Sequence, residues 1–206
     1  MKAAVVTDNG VQIQDVPTPS PKPNEVLVRV RACGLNRADL MVASGMAHGR
    51  AGGAGTVVGL EFVGEVAELG AEAKAQSGLQ VGDRVMCGGA QGWAEYAVAD
   101  WGRAAKIPDG NVSWNEAATL PTALNTMHNA VVTAGRMQAD ENVLIQGASS
   151  GVGLMAMQIA KHKGASLVIG TSTNAERREK LKEYGADLPL DSKDPSWADQ
   201  VLEATG

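Results

Sequence analysis

Alternating hydrophobic and polar positions in the first hundred residues predict short β-strands. The stretch 25–32 (EVLVRVRA) alternates along its length, which is typical of a strand with one buried face. Stretches 1–7 and 11–16 flank an Asn9-Gly10 pair, and such a pair between two apolar runs predicts a hairpin. Further strands are predicted at residues 57–69, 80–86, 96–99 and 104–107. Many short strands separated by Gly and Asp turns are typical of a small barrel or sandwich.

The pattern changes near residue 113, where strands begin to alternate with helices. Ser113 and Glu116 fit a capping box at the start of a helix, and a second helix is predicted at 122–134, ending at Gly135. A stripe at helical spacing predicts another helix and consists of Val152, Met155, Ile159 and His162. Strands are also predicted at 143–146, 166–170 and 187–190, and helices at 175–184 and 196–204. This alternation is typical of a parallel α/β sheet.

Composition indicates an ordinary globular protein. The 206 residues are 44% hydrophobic and 20% charged with a formal net charge of -5, which excludes disordered, collagen-like and coiled-coil classes. Because no run of Lys and Arg exceeds a pair, and no apolar run approaches the about 18 residues of a membrane helix, we expect neither nucleic acid nor membrane as a partner. The N-terminus does not resemble a secretion signal, and the two cysteines cannot form a disulfide framework, so we expect a cytoplasmic location.

The segment 143–153 (VLIQGASSGVG) carries the most informative chemistry. An apolar strand enters a turn of small residues, and a helix begins at once. Backbone N–H groups and the positive helix end then converge where a diphosphate can be held. Gly153 allows the helix to pack on the strand, whereas Ala148 and Ser150 replace the first two glycines of the G-x-G-x-x-G pattern. The alternative is a small-residue turn that serves packing only.

The end of the second strand bears on the choice of cofactor. About 20 residues beyond the glycine motif, NAD-binding folds usually place an Asp or Glu against the ribose hydroxyls. Residues 171–174 (TSTN) contain no acid, and Arg177 and Arg178 follow. The Ser172 hydroxyl and the Arg177 guanidinium can hydrogen-bond to a 2′-phosphate that an acid would repel. We therefore expect NADP(H) as the cofactor, the alternative being that both arginines only form a solvated helix face.

Six landmarks occur in a fixed order along the chain. They are GLNRADL at 34–40, GLEFVG at 59–64, VGDRV at 81–85, GWAEY at 92–96, LPT at 120–122 and ASSGVG at 148–153. Through them the chain resembles the medium-chain dehydrogenase/reductase superfamily, and within it the zinc-independent NADPH:quinone oxidoreductases of the zeta-crystallin type. The resemblance implies an α/β plus β fold, with a GroES-like β-barrel domain over residues 1–120 and a partial, three-stranded Rossmann sheet over 121–206. It also implies that NADPH binds between them.

The resemblance further implies which residues contact cofactor and substrate. Asn36 and Asp39 are expected beside the nicotinamide and substrate, where they could orient the acceptor or relay a proton. Thr126 is expected near the nicotinamide. The remaining cofactor contacts are expected from Ala148, Ser149, Ser150, Gly151, Val152, Gly153, Ser172 and Arg177. Met41 stands where relatives often carry Tyr, which weakens any proposal of a phenolic proton donor. The alternative for Asn36 and Asp39 is that they form a turn with a helix cap. The alternative for Thr126 is that its hydroxyl only hydrogen-bonds to the backbone of its own helix.

Zinc-dependent relatives hold a catalytic metal with a Cys, a His and a second Cys or acid. Cys33 stands at the first of these positions, but Leu60 occupies the position of the His, directly before Glu61. We therefore expect no metal site, and we interpret Cys33 and Cys87 as small buried hydrophobes. The histidines are scattered, and we interpret none of them as a ligand: His48, His128 and His162.

Chemistry without a metal favours an acceptor that is already electron-poor. Nicotinamide can deliver hydride to quinones, conjugated enones and enoyl thioesters while the protein orients the reactants and excludes water. We therefore predict an NADPH-dependent, zinc-free oxidoreductase acting on a quinone or enone. An enoyl-thioester reductase and a non-catalytic nucleotide-binding or interaction module remain as alternatives.

The second half of the chain supplies fewer strands than its fold family uses. A complete doubly wound domain has six strands in the order 3-2-1-4-5-6, whereas the pattern here predicts three. The first of them, 143–146, is then expected to have an open edge, and open edges pair with other chains. We expect a fragment, a truncated product or one part of a complex, completed by a further C-terminal segment or by homo-oligomerisation.

Overall fold

The computed structural model describes residues 1–46 and 52–206, so His48 lies outside the described residues. The described chain forms two compact units, Met1–Thr122 and Ala123–Gly206. No described helix has the length and apolar character needed to cross a membrane.

The first unit is built mainly from antiparallel strands. Its described strands are β1 Lys2–Thr7, β2 Gly10–Asp15, β3 Glu25–Cys33, β4 Glu61–Leu69, β5 Arg84–Gly88, β6 Tyr96–Asp100 and β7 Ala104–Lys106. Its described helices are α1 Arg37–Ala43, α2 Ala71–Gln76 and α3 Trp114–Ala118, and α4 Pro121–His128 begins at its end. Five strands form one sheet in the order β6-β3-β4-β5-β7, and β1 and β2 form the predicted hairpin, which is confirmed.

Local signals fixed several of these elements. The β1–β2 hairpin places Thr7 opposite Gly10, whose positive φ of 89° suits glycine. The capping box of α3 is also confirmed, because the Ser113 N–H donates to Glu116 Oε2 at 2.8 Å and the Glu116 N–H donates to Ser113 Oγ at 3.2 Å. A buried apolar cluster lies on the five-stranded sheet and includes Val26, Val28, Phe62, Val66, Val85 and Cys87.

Two predicted strands begin later than their apolar runs. β4 begins at Glu61, because Val57 forms only an isolated bridge with Val5. β5 begins after a turn in which the Asp83 N–H donates to the Gln80 carbonyl at 3.0 Å. The predicted starts at 57 and 80 were therefore wrong, since hydrophobicity does not show where the main chain leaves a turn.

The second unit contains a parallel sheet with helices. Its strands are β8 Asn142–Ile145, β9 Leu167–Thr171 and β10 Leu188–Leu190, and its helices after α4 are α5 Gly151–His162, α6 Ala175–Lys180 and α7 Trp197–Thr205. A π-helical segment, Asn129–Ala134, follows α4, and a 3₁₀ segment, Leu181–Tyr184, follows α6. The strands pair in parallel in the order β10-β9-β8. The predicted β structure followed by a partial parallel α/β sheet is confirmed.

Helix α5 is present, but its predicted stripe is not its buried face. The buried face consists of Gly153, Ala156, Met157 and Ala160. Val152 is 36% exposed and His162 is also exposed. The physical reason is close packing, because a Cβ added at Gly170 of β9 would lie 3.2 Å from the Met157 Sδ of α5. Three of the four buried residues of α5 are Gly or Ala, whereas the predicted stripe followed larger side chains.

Strand β8 has an open edge, as predicted. Within the described residues β8 pairs with β9 alone. Leu144 on this strand is 40% exposed, and an apolar groove beside it is lined by Met127, Val131, Met137 and Val143. An unpaired edge presents a row of backbone donors and acceptors to any extended chain.

We expect the 206-residue chain to self-associate through this edge, and Leu144→Lys to weaken the association. A lysine on an edge strand places like charges together when two copies pair, so we expect about a tenfold higher dissociation constant. Sedimentation velocity over a concentration series measures this change.

The matched control is Leu202→Lys, which introduces the same charge at an exposed leucine of α7. Equal weakening by both variants would contradict pairing through β8 and would indicate nonspecific apolar association.

Candidate functional site

Asn36 lies between the end of β3 and the start of α1, and it is the N-cap residue of that helix. Its backbone is extended, with φ −115° and ψ 153°. The Asn36 N–H donates to Asp39 Oδ2 at 2.7 Å, and the Asp39 N–H donates to the Asn36 carbonyl at 3.0 Å. The helix-cap role considered from the sequence is therefore present as a capping box between Asn36 and Asp39.

The Asn36 side chain contacts Glu61, a residue to which the sequence analysis gave no functional role. Asn36 Nδ2 donates to Glu61 Oε1 at 2.7 Å. Glu61 Oε2 accepts the Thr122 backbone N–H at 2.7 Å. Glu61 is only 4% exposed, so both oxygens of a buried carboxyl group are hydrogen-bonded, as burial of such a group requires.

One sequence feature carried a signal for Glu61. A charged residue stands inside the apolar run GLEFVG, which predicts a buried strand, and a buried charge needs partners. The structure adds a role for Gly34, because a Cβ there would collide with Glu61 Oε1 and would lie 2.7 Å from the Ala118 carbonyl oxygen. Glycine at position 34 leaves the room that the Glu61 carboxyl group occupies.

Asp39 is 1% exposed, and its second oxygen, Oδ1, has no hydrogen-bond partner among the described residues. The cluster also affects a neighbouring thiol. Burial raises the pKa of the Cys33 thiol, and the negative charges of Asp39 and Glu61 raise it further. Burial alone raises the pKa of Cys87 to about 12. Cys87 is fully buried and Cys33 partly so.

The residues available for metal binding are sparse in the described part of the chain. No group of three or more His, Cys, Asp or Glu side chains there is arranged to hold a metal ion. Leu60 offers no ligand atom beside Glu61. His128 and His162 are both exposed and lie in the second unit.

The predicted diphosphate turn joins β8 to α5 in the second unit. Gly147 has a positive φ of 65°, and the Ala148 N–H donates to the Thr171 carbonyl of β9 at 2.8 Å. Ser150 is the N-cap of α5, and its Oγ accepts the Gly153 N–H at 3.1 Å. A Cβ at Gly153 would lie 2.6 Å from the Ala148 Cα, so only glycine allows this approach of helix to turn.

Several main-chain donors of this turn remain available. Within the described residues, the N–H groups of Ser149, Gly151 and Val152 donate to no acceptor. They lie at the positive end of a twelve-residue helix. The turn can therefore bind an anion through its main chain, which is the chemistry that a diphosphate requires.

The residues considered for binding a 2′-phosphate differ in burial and in the partners that they already have. Ser172 is buried, and its Oγ lies 2.9 Å from Ser149 Oγ. Arg178 Nη1 contacts the Ser172 carbonyl at 3.0 Å and Asp191 Oδ2 at 3.0 Å. Arg177 is exposed, and its side chain makes no hydrogen bond or ion pair with a described residue. Of the two arginines, Arg177 is therefore the one that is free to bind a ligand.

Thr126 lies on α4 in the second unit and is exposed, as is Asn125 beside it.

The other described site residues form two groups. Asn36, Asp39 and Glu61 form a hydrogen-bonded cluster in the first unit, and the turn with Ser172 and Arg177 forms an anion-binding edge in the second.

Comparison with known proteins gives matches to both units. The model of the alcohol dehydrogenase GroES-like domain matches residues 22–109, and the model named zinc-binding dehydrogenase matches residues 151–206. A phenolphthiocerol/phthiocerol polyketide synthase of Mycobacterium tuberculosis is 34% identical over 197 residues, covering 96% of this chain and 9% of the synthase. Trans-enoyl reductase RAP2 of Pyricularia oryzae is 34% identical over 228 residues, covering 100% of this chain and 61% of the reductase.

Solved structures show the same fold. A mycobacterial protein in complex with NADPH is 32% identical with a TM-score of 0.83, covering 98% of this chain and 63% of that protein. A quinone oxidoreductase of Pseudomonas syringae is 29% identical with a TM-score of 0.84, covering 99% of this chain and 63% of that enzyme. The chain thus spans less than two thirds of each of these four proteins. With both units matched by dehydrogenase family models and quinone oxidoreductases among its structural neighbours, the chain belongs to the medium-chain dehydrogenase/reductase superfamily.

Proposed function

We propose that this chain forms part of an NADPH-dependent reductase of conjugated acceptors. The observation that carries the proposal is the turn before α5, where three backbone N–H groups have no described acceptor and Gly153 admits no side chain. We assign substrate binding to residues 1–120 and nucleotide binding to residues 121–206. The membership of the superfamily and the NADPH bound to a structural neighbour support this assignment.

The residues of the second unit fit the polar parts of NADP(H). The turn residues 148–153 would hold the diphosphate through the main chain. Arg177, exposed and without a described partner, would bind the 2′-phosphate, and a guanidinium forms strong charge-assisted hydrogen bonds with phosphate. We propose that Ser172 supports this edge indirectly, since its buried hydroxyl lies beside Ser149 and accepts the Asn174 N–H at 3.3 Å. Thr126 would contact the cofactor from α4.

The chemistry divides between cofactor and protein. Bound NADPH supplies the hydride. Asn36 would orient the acceptor through its side-chain amide. The backbone N–H of Asn36 is already hydrogen-bonded to Asp39. Asp39 Oδ1, buried and without a described hydrogen-bond partner, would take up a proton from water and pass it to the acceptor after the acceptor has received hydride. Leu60 in place of a metal ligand supports a zinc-free reaction, in which the acceptor must itself be electron-poor.

Two acceptor classes meet this requirement, and the comparisons support both. One similar protein is named a trans-enoyl reductase and another a quinone oxidoreductase. Enoyl thioesters and quinones both present a carbonyl group conjugated to the carbon that receives hydride. Oxidation of NADPH, followed by absorbance with a panel of both acceptor classes, distinguishes them. NADPH binding without turnover on any acceptor would indicate the non-catalytic module instead.

Asn36→Ala is expected to lower kcat/KM on the preferred acceptor by about tenfold to a hundredfold, because an unpositioned acceptor reacts more slowly. Steady-state kinetics of NADPH oxidation measures the change. Asn9→Ala, at the exposed tip of the hairpin, is the matched control and is expected to change nothing. Equal activity of the Asn36 variant and wild type would contradict a role of Asn36 in orienting the acceptor.

Arg177→Ala is expected to weaken NADPH binding about tenfold, equivalent to about 1.4 kcal/mol, and to leave NADH binding unchanged. The reason is loss of a charged contact that only the 2′-phosphate makes. Titration followed by nucleotide fluorescence gives both affinities. Lys180→Ala removes a cation from the same helix as a control. Equal weakening by Lys180→Ala would indicate general electrostatic attraction rather than a phosphate contact.

Gly153→Ala is expected to destabilise the second unit by about 1–3 kcal/mol and to weaken NADPH binding, because its Cβ would collide with the main chain of the turn. Gly151→Ala is the control for stability, since a Cβ there meets nothing within 4 Å. Urea unfolding and NADPH titration measure the two effects. Full NADPH affinity in a folded Gly153→Ala variant would contradict a diphosphate site at this turn.

A further inference from the structure

We infer that Glu61 is a positioning residue that fixes the orientation of the Asn36 side-chain amide. The inference rests on the proposed function, in which Asn36 orients the acceptor. The contact that carries it is the 2.7 Å hydrogen bond from Asn36 Nδ2 to Glu61 Oε1, between residues that are 25 positions apart in the chain.

The hydrogen-bonding chemistry of the two groups allows one orientation of the amide. An asparagine amide has a donor side, with two N–H bonds, and an acceptor side, the Oδ1 carbonyl. Both Glu61 oxygens act as acceptors, Oε1 for Asn36 Nδ2 and Oε2 for the Thr122 N–H. A flipped amide would set Oδ1 against Oε1, and two acceptors repel. The contact therefore leaves the second N–H of Nδ2 for a ligand.

Glu61 can act as an anchor because it is itself immobilised. It is the first residue of β4 and is 4% exposed. The Thr122 N–H belongs to the first turn of α4, where backbone donors lack an intrahelical acceptor, so Glu61 Oε2 satisfies one of them. Gly34 provides the space for the carboxyl group, since any side chain there would collide with it.

Asn36 is thus held at two atoms by two buried acids. Asp39 Oδ2 accepts its backbone N–H, and Glu61 Oε1 accepts its side-chain N–H. A side chain fixed in this way loses no further rotational freedom when a ligand binds, which favours a rapid reaction. The remaining N–H of Nδ2, polarised by the carboxylate on the other hydrogen, is the donor suited to the carbonyl oxygen of a conjugated acceptor.

The first test uses the wild-type chain and needs no turnover. In a ¹⁵N–¹H spectrum, one side-chain amide proton of Asn36 should be shifted downfield and exchange slowly with water. Asn9, exposed on the hairpin, provides the internal reference. Exchange of both Asn36 amide protons as fast as those of Asn9 would overturn the inference.

The second test uses Glu61→Gln, which keeps the shape of the side chain but presents one acceptor where two are needed. We expect the Asn36 amide resonances to move and kcat/KM to fall about tenfold. Glu65→Gln is the matched control, because Glu65 is on the same strand and pairs at the surface with Arg29 and Arg31. It should alter neither the Asn36 resonances nor kcat/KM.

A double-mutant cycle separates positioning from a purely structural role. If Glu61 acts through Asn36, Glu61→Gln should cost nothing further in an Asn36→Ala background. A full additional loss in that background would overturn the inference in favour of a structural role. Absence of turnover by wild type on every acceptor would overturn the proposed function alone, because the amide spectra test the anchoring of Asn36 independently. Those spectra also apply if Glu61→Gln fails to fold.

Discussion

Both carboxylate oxygens of Glu61 accept hydrogen bonds inside the first unit, and much of the local arrangement follows from them. A buried carboxyl group is costly unless its oxygens are satisfied. Satisfying Glu61 brings the start of α1, through Asn36, and the start of α4, through Thr122, to the same end of β4. It also requires glycine at position 34. One acidic side chain thus links a strand to two helix starts, and the same contacts give the Asn36 amide its direction.

The second unit depends on a different constraint, which is the close packing of main-chain segments at the start of α5. Helix α5 approaches β9 closely because Gly153, Ala148 and Gly170 have small or no side chains. The first N–H groups of any α-helix lack intrahelical acceptors, and those of Gly151 and Val152 have none among the described residues. Packing and anion binding are therefore not competing explanations for this turn. The small residues that allow the helix to pack are also those that keep the main chain accessible to a phosphate.

Elements set by neighbouring residues could be predicted from the sequence, whereas contacts between distant segments could not. The Asn9-Gly10 hairpin and the Ser113–Glu116 capping box depend on a few adjacent positions. The run GLEFVG indicates that Glu61 needs partners, but no local pattern shows that these lie 25 and 61 positions away. Likewise, the sequence presents Arg177 and Arg178 as equivalent. Only the fold shows that Arg178 is engaged by Asp191 and the Ser172 carbonyl.

The raised pKa of Cys33 has a consequence for the reactivity of its thiol. Cys33 directly precedes Gly34 and lies near the anionic side chains of Asp39 and Glu61. A thiol adds to quinones and enones as the thiolate, and raising its pKa lowers the thiolate fraction at neutral pH. Burial, and after it the acids that contact Asn36, therefore favour the protonated form of the Cys33 thiol. A lower thiolate fraction disfavours Michael addition of Cys33 to the acceptors proposed above.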